Sequence, residues 1–220
     1  MSDPIRRADF GRVYSIASAI RQKFADAELV ILGHVHEDHM AGLHRVPHAP
    51  VHVHELDVEA ARSWEGLSRH FGLSPEAARK MLDKATREFH YAPRPDAIAY
   101  RDGASWNLGG STVRAIHMPG HTSGHCVLLV EPEGVAFIGD IDLSGFGPYY
   151  GDATSSLAQF RRTLARLHEV PARVWVTSHH RGIYTERQAF LEALAAFAGK
   201  IDERSDRLVE LLREAPRSVD

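Results

Sequence analysis

The sequence predicts a layered α/β domain. Helical and extended segments follow one another in the order helix, strand, helices, strands, helix, strand, helix, which suits helices laid on sheets better than an all-β design. From residue 97 the apolar period switches from helical spacing to two. Every histidine-rich segment also follows an apolar run that reads as a strand, and loops at strand ends are where a rigid scaffold displays chemistry.

Residues 8–25 carry Val13, Ile16, Ile20 and Phe24 at helical spacing and predict an amphipathic helix. "ELVIL", 28–32, predicts a short buried strand running into the histidines. "VHVH", 51–54, alternates, so His52 and His54 share the face opposite the valines and read as surface or supporting residues, not ligands. Residues 55–91 predict helix, with Ser74-Pro75 as a start signal and Ala78, Met81, Leu82, Ala85 and Phe89 as a core stripe. After the loop "HYAPRPD", short strands break at Asp102-Gly103 and Gly109-Gly110. "HCVLLVEPEGVAFIGD" predicts a hairpin turning at Pro132–Gly134. A helix over 155–168 points Leu157, Phe160, Leu164 and Leu167 inward, "RVWVTSHH" predicts a strand, and 185–214 predicts a helix broken near Gly199.

The 220 residues are 44% apolar, enough for one sizeable core. A net charge of −3 and a pI near 6.6 give no sign of a nucleic-acid or anionic-membrane partner. The first 20 residues contain no signal-type apolar region, and no run approaches the ~20 apolar residues of a membrane span. Cys126 is the single cysteine and begins the apolar run "CVLLV", so it is expected in the core, and a reducing cytoplasm is the expected location.

Four clusters carry the chemistry. The first is "HVHEDH", with His34, His36, Asp38 and His39 in an H-x-H-x-D-H pattern; the second is "MPGHTSGH", with His121 and His125; the third is "FIGDID", with Asp140 and Asp142; the fourth is "TSHHRG", with His179 and His180. Histidine is abundant, at 15 residues, yet the first pattern would arise by chance in roughly 0.4% of chains of this size and composition. On an extended chain, His34 and His36 project to one side and can grip one metal, while Asp38 and His39, where the chain turns, can face a second. Imidazole with carboxylate is the ligand mix of zinc sites, with iron or manganese also suited. One tetrahedral ion needs three or four ligands, and seven good candidates fit two ions better. Asp140 is the natural bridge, because a carboxylate between two cations offsets their repulsion, and Gly139 before it lets the backbone approach them closely. His125, Asp142 and His180 read as supporting groups.

Taken together and in this order, "HVHEDH", "PGHTSGH", "GD" and "SH" resemble the metallo-β-lactamase-fold superfamily over about residues 28–198. The resemblance implies an αββα sandwich with its metals at one sheet edge. It implies His34, His36 and His121 on one metal, Asp38, His39 and His179 on the other, and Asp140 between them. His179 is preferred to His180 because the family's last histidine usually follows a small residue, here Ser178. The "HTSGH" segment is most similar to the glyoxalase-II-like branch, whose hydrolases act on thioesters and other esters. This sequence departs from the family in three places. Gly33 stands where the family has Thr. The family's N-terminal strands are missing before His34, which implies an N-terminally shortened sandwich and leaves a sheet edge for a second copy to cover. The segment from residue 201 looks like the start of a C-terminal helical extension to a metallo-β-lactamase-like domain spanning 1–200.

The function expected from these readings is metal-dependent hydrolysis of a small ester, thioester or lactone, with hydroxide bridging two divalent ions, zinc first. Asp38 and Asp140 are the expected catalytic carboxylates, and Tyr149, Tyr150 and His180 are candidates for proton donation or substrate contact. A nuclease carrying a large inserted domain is disfavoured, since only 38 residues separate Asp140 from His179. Two other classes stay open: an iron-dependent redox enzyme of the same fold, dioxygenase-like, and a non-catalytic fragment or partner subunit.

Overall fold

The structure is a computed structural model that describes residues 27–179 and 182–214. The helix expected over 8–25, and His180, lie outside the described residues. Among those described, β1 (Val30–Ile31), β2 (Val51–His54) and β3 (Ile98–Tyr100) form a parallel three-stranded sheet in that order. Between β2 and β3 run α1 (Val58–Arg62), α2 (Trp64–Phe71) and α3 (Pro75–Phe89). The second sheet has six strands in chain order: β4 (Ser105–Asn107), β5 (Thr112–His117), β6 (Cys126–Glu131), β7 (Val135–Gly139), β8 (Val174–Thr177) and β9 (Ile183–Tyr184). All its pairs are antiparallel except β7–β8, which the helix α4 (Leu157–Arg166) joins as a crossover; α5 (Arg187–Glu214) follows β9.

Three apolar layers hold these parts as α/β/β/α. On one outside, Val127, Leu129, Ile138 and Trp175 of the large sheet meet Phe160, Leu164, Phe190 and Phe197 of α4 and α5. On the other, Val51 and Val53, both fully buried, meet Leu67 and Ala85 of the helices. Between the sheets lie Tyr100, Val113, Ala115, Cys126 and Leu128. Cys126 is buried as expected, and burial pushes its thiol up to about 12.

Two expected boundaries change. The 55–91 segment is three helices: one starts at Ser74-Pro75 as expected, and a further start falls at Ser63, each serine accepting a hydrogen bond from the backbone three residues on. Conversely, α5 runs unbroken through Gly199. A lone glycine costs a helix about 1 kcal/mol, and here Phe190, Leu194, Phe197 and Ile201 anchor the face on both sides of it.

Among the described residues, β1 is an open edge. Beyond it they leave the inner face of β7–β9 uncovered, with Phe137 48% and Ile183 53% exposed. A cavity of about 510 Å³ lies there, between Leu29 and Ile31 on one side and Leu108, Leu128 and Phe137 on the other.

Candidate metal centre

The four sequence clusters meet at one end of the strands. His34 and His36 lie on the chain leaving β1, and a turn closed by Ala41 N–H on the Asp38 carbonyl (3.2 Å) presents Asp38 and His39. His121 follows β5, Asp140 follows β7, and His179 follows β8. Two facing groups result: His34, His36, His121 and Asp140, and Asp38, His39 and His179, each with its ligand atoms within 4.8 Å of one another.

Asp140 stands between them. Its Oδ2 is 3.3 Å from His121 Nε2 and 3.7 Å from His34 Nε2; its Oδ1 is 3.1 Å from His39 Nε2 and 3.4 Å from His179 Nε2. Asp38 Oδ2 is 3.3 Å from His179 Nε2. One carboxylate thus turns an oxygen to each group, the arrangement a bridge requires.

The donor set fits cations. His34 Nε2, His39 Nε2, His121 Nε2 and Asp140 Oδ1 are all buried and make no well-formed hydrogen bond among the described residues, only the ion-pair contacts above, and buried polar atoms left without a good partner cost about 1–3 kcal/mol each. Burial, reinforced by the neighbouring histidines, pulls His34 well below the ordinary imidazole range, so its ring is neutral with a free lone pair. Burial alone would raise the Asp140 carboxyl, but close contacts with His121 and His39 outweigh it and hold Asp140 ionised. A neutral His34 beside an ionised Asp140 matches the protonation states that metal binding needs, whereas at His39 burial is outweighed by the contact with Asp140, which raises the ring's pKa.

Two glycines make the geometry possible. Gly120, at φ +139°, has Phe160 Cα 2.3 Å from where a Cβ would stand, so α4 presses directly on the turn that carries His121. Gly139 was expected to bring backbone towards the metals. Its bare Cα makes room for His125, whose Nε2 would meet a Cβ at 2.5 Å.

Other residues hold the rings in place. His36 Nε2 is 2.9 Å from Asp152 Oδ2, which leaves the lone pair on Nδ1, and the Tyr149 hydroxyl donates to the other Asp152 oxygen at 3.1 Å. His121 Nδ1 is 3.1 Å from the Tyr149 carbonyl and so donates there, freeing Nε2 for the centre. Asp57, 1% exposed, accepts from Thr122 Oγ1 (2.6 Å) and Gly124 N (2.8 Å), pinning the "HTSGH" loop. Neither Asp57 nor Asp152 was expected here. The signals available were a single acid ahead of the 58–62 helix and one in "YYGDAT", with no spacing to connect either to the histidines.

The supporting residues sort themselves out. His125 is fully buried and donates Nδ1–H to the Met118 carbonyl (3.0 Å), a structural role. Asp142 Oδ1 accepts from Ser144 N, shaping its loop. Tyr149 lines the cavity at the centre, whereas Tyr150 packs with the α4–α5 core, its ring 5.6 Å from the Arg204 guanidinium. His52 lies 3.3 Å from Trp106 Nε1, and His54 stacks on His117; neither belongs to the two ligand groups.

A sandwich of two sheets with outer helices, carrying histidines and carboxylates converged at strand ends, defines a protein with a metal-type α/β site. Residues 3–196 match the metallo-beta-lactamase superfamily, and the chain belongs to that superfamily. It is 32% identical over 137 residues to a hydroxyacylglutathione hydrolase from Methylococcus capsulatus, covering 61% of this chain and 51% of that one. It is 28% identical over 155 residues to an atrochrysone carboxyl ACP thioesterase from Aspergillus novofumigatus, covering 70% and 45%. The chain therefore spans about half the length of these relatives. Among solved structures, a metallo-beta-lactamase family protein from Thermus thermophilus superposes with a TM-score of 0.64 at 26% identity, covering 86% of this chain and 65% of that one.

Proposed function

We propose that the protein is a metal-dependent hydrolase of thioesters or related small acyl esters, with His34, His36 and His121 holding one divalent ion, Asp38, His39 and His179 a second, and Asp140 shared. The observation that carries this reading is the split of Asp140, one oxygen to each histidine group. Zinc suits the donor set first, with iron or manganese next. Such ions, once bound, polarise an acyl oxygen and make water nucleophilic near neutral pH. The chain supplies the rest. Asp38, 30% exposed in its side chain, faces the cavity and can accept a proton from the attacking water while orienting it. Tyr149, whose hydroxyl donates to Asp152, lines the same cavity and can contact the substrate there. The relatives named hydroxyacylglutathione hydrolase and atrochrysone carboxyl ACP thioesterase support the acyl class.

The test is elemental analysis of protein purified without chelator, followed by an ester and thioester panel on the wild type, Asp38→Ala and His121→Ala. Two ions per chain, lost activity in both variants and depleted metal in His121→Ala are expected. Full esterase activity in metal-free protein would sink the mechanism. An iron-dependent redox role predicts instead iron with oxygen uptake and no hydrolysis.

A further inference from the structure

The cavity beside the candidate centre has two unlike sides. Its volume is about 500 Å³. Its floor is the cluster itself. Its wall is Phe71, Leu73, Met81 and Phe89, all carried by α2, α3 and the short turn between them. The wall begins at the metal-side residues, because the Phe71 ring stacks on His36 with centroids 5.2 Å apart and planes 10° from parallel. Among the described residues no lysine or arginine lines the cavity, and the one charged lining residue that is neither in the ligand groups nor partnered to His36 is an acid, Glu37.

This asymmetry carries a specificity. A substrate carbonyl has to reach the floor, so one of its two substituents lies against the apolar wall. Burying a carboxylate or phosphate there without a counter-charge is costly, and doing so beside Glu37 more so. The charged parts of a thiol carrier are thus kept out of the slot, and the acyl side enters it. We infer that the α2–α3 wall is an acyl slot, that the substrates are thioesters or esters of uncharged, apolar acyl groups, and that Leu73, Met81 and Phe89 set the preferred acyl length. This inference rests on the hydrolase reading.

The experiment uses the metal-loaded protein and acetyl, butyryl, hexanoyl, octanoyl and adipoyl thioesters of one small thiol. Each methylene buried on the wall is expected to raise kcat/KM about fourfold, from the transfer energy of a methylene group. Adipoyl is expected to fall at least tenfold below hexanoyl. In Met81→Glu the octanoyl-to-acetyl ratio of kcat/KM should collapse at least tenfold, while Met81→Leu should keep it; a merely structural defect would lower all substrates together. A series of straight-chain methyl ketones, which cannot be hydrolysed, reads the same slot by calorimetric binding. No hydrolysis, but ketone affinity that rises with chain length and collapses in Met81→Glu, overturns the hydrolase reading and keeps the slot. Hydrolysis or binding indifferent to chain length, or adipoyl equal to hexanoyl, overturns the slot.

Discussion

Asp152 shows how much a single side chain contributes to this centre. By taking the Nε2–H of His36 it selects the tautomer that turns the Nδ1 lone pair inward. Outer partners of this kind are worth about 10–100-fold in metal affinity, so Asp152→Ala is expected to weaken metal binding by that factor in a chelator competition. Unchanged affinity would show that His36 needs no such partner. The seven candidate ligands could be found in the sequence because ligand chemistry is written in residue type and short spacing. Asp152 could not, because it meets His36 across 116 residues and forms no local pattern.

At the scale of elements, Asp57 ties one loop to another. It stands at the head of α1 but does not cap it with its side chain; the carboxylate turns instead to the Thr122–Gly124 loop. Asp57→Ala strands two buried donors and is expected to cost about 2–4 kcal/mol, read as a lower urea midpoint. Asp57→Asn, which keeps an acceptor, should cost less. The element types themselves followed from periodicity: the VHVH strand, the β6–β7 hairpin and the stripe of α4 all stand where the pattern put them. Periodicity did not place the breaks. Whether Gly199 ends a helix depends on the apolar residues that anchor α5 on both sides of it, which is a property of packing.

Over the whole molecule, buried neutral histidines set the response to acid. Burial holds His125 down to about 3 and lowers His34, His54 and His70 as well. In each the unfolded chain binds the proton more tightly, so the stability contributed is complete above about pH 6.5 and is lost as pH falls towards the folded value, by up to roughly 1.4 kcal/mol per pH unit for each such group. Urea midpoints should therefore drop between pH 7.5 and pH 5, and an unchanged midpoint would contradict burial of these rings. We propose that a second copy covers the β1 edge and the Phe137–Ile183 face, apolar surface that the described residues leave uncovered. Sedimentation at micromolar protein is expected to give twice the mass of one chain, and a monomer would argue against a second copy on this face. Among the described residues no helix is long and apolar enough to cross a membrane.

The sequence by itself determined the layered α/β class, the superfamily and the seven residues that converge, because each rests on local period, spacing and donor chemistry. The tertiary structure decided the rest: which Asp140 oxygen faces which histidines, that Gly139 makes room for His125, that Asp57 and Asp152 belong to the site, and that the α2–α3 helices give the cavity an apolar wall. Those are relations between chain segments far apart in sequence, and close packing alone brings them within hydrogen-bond or van der Waals range.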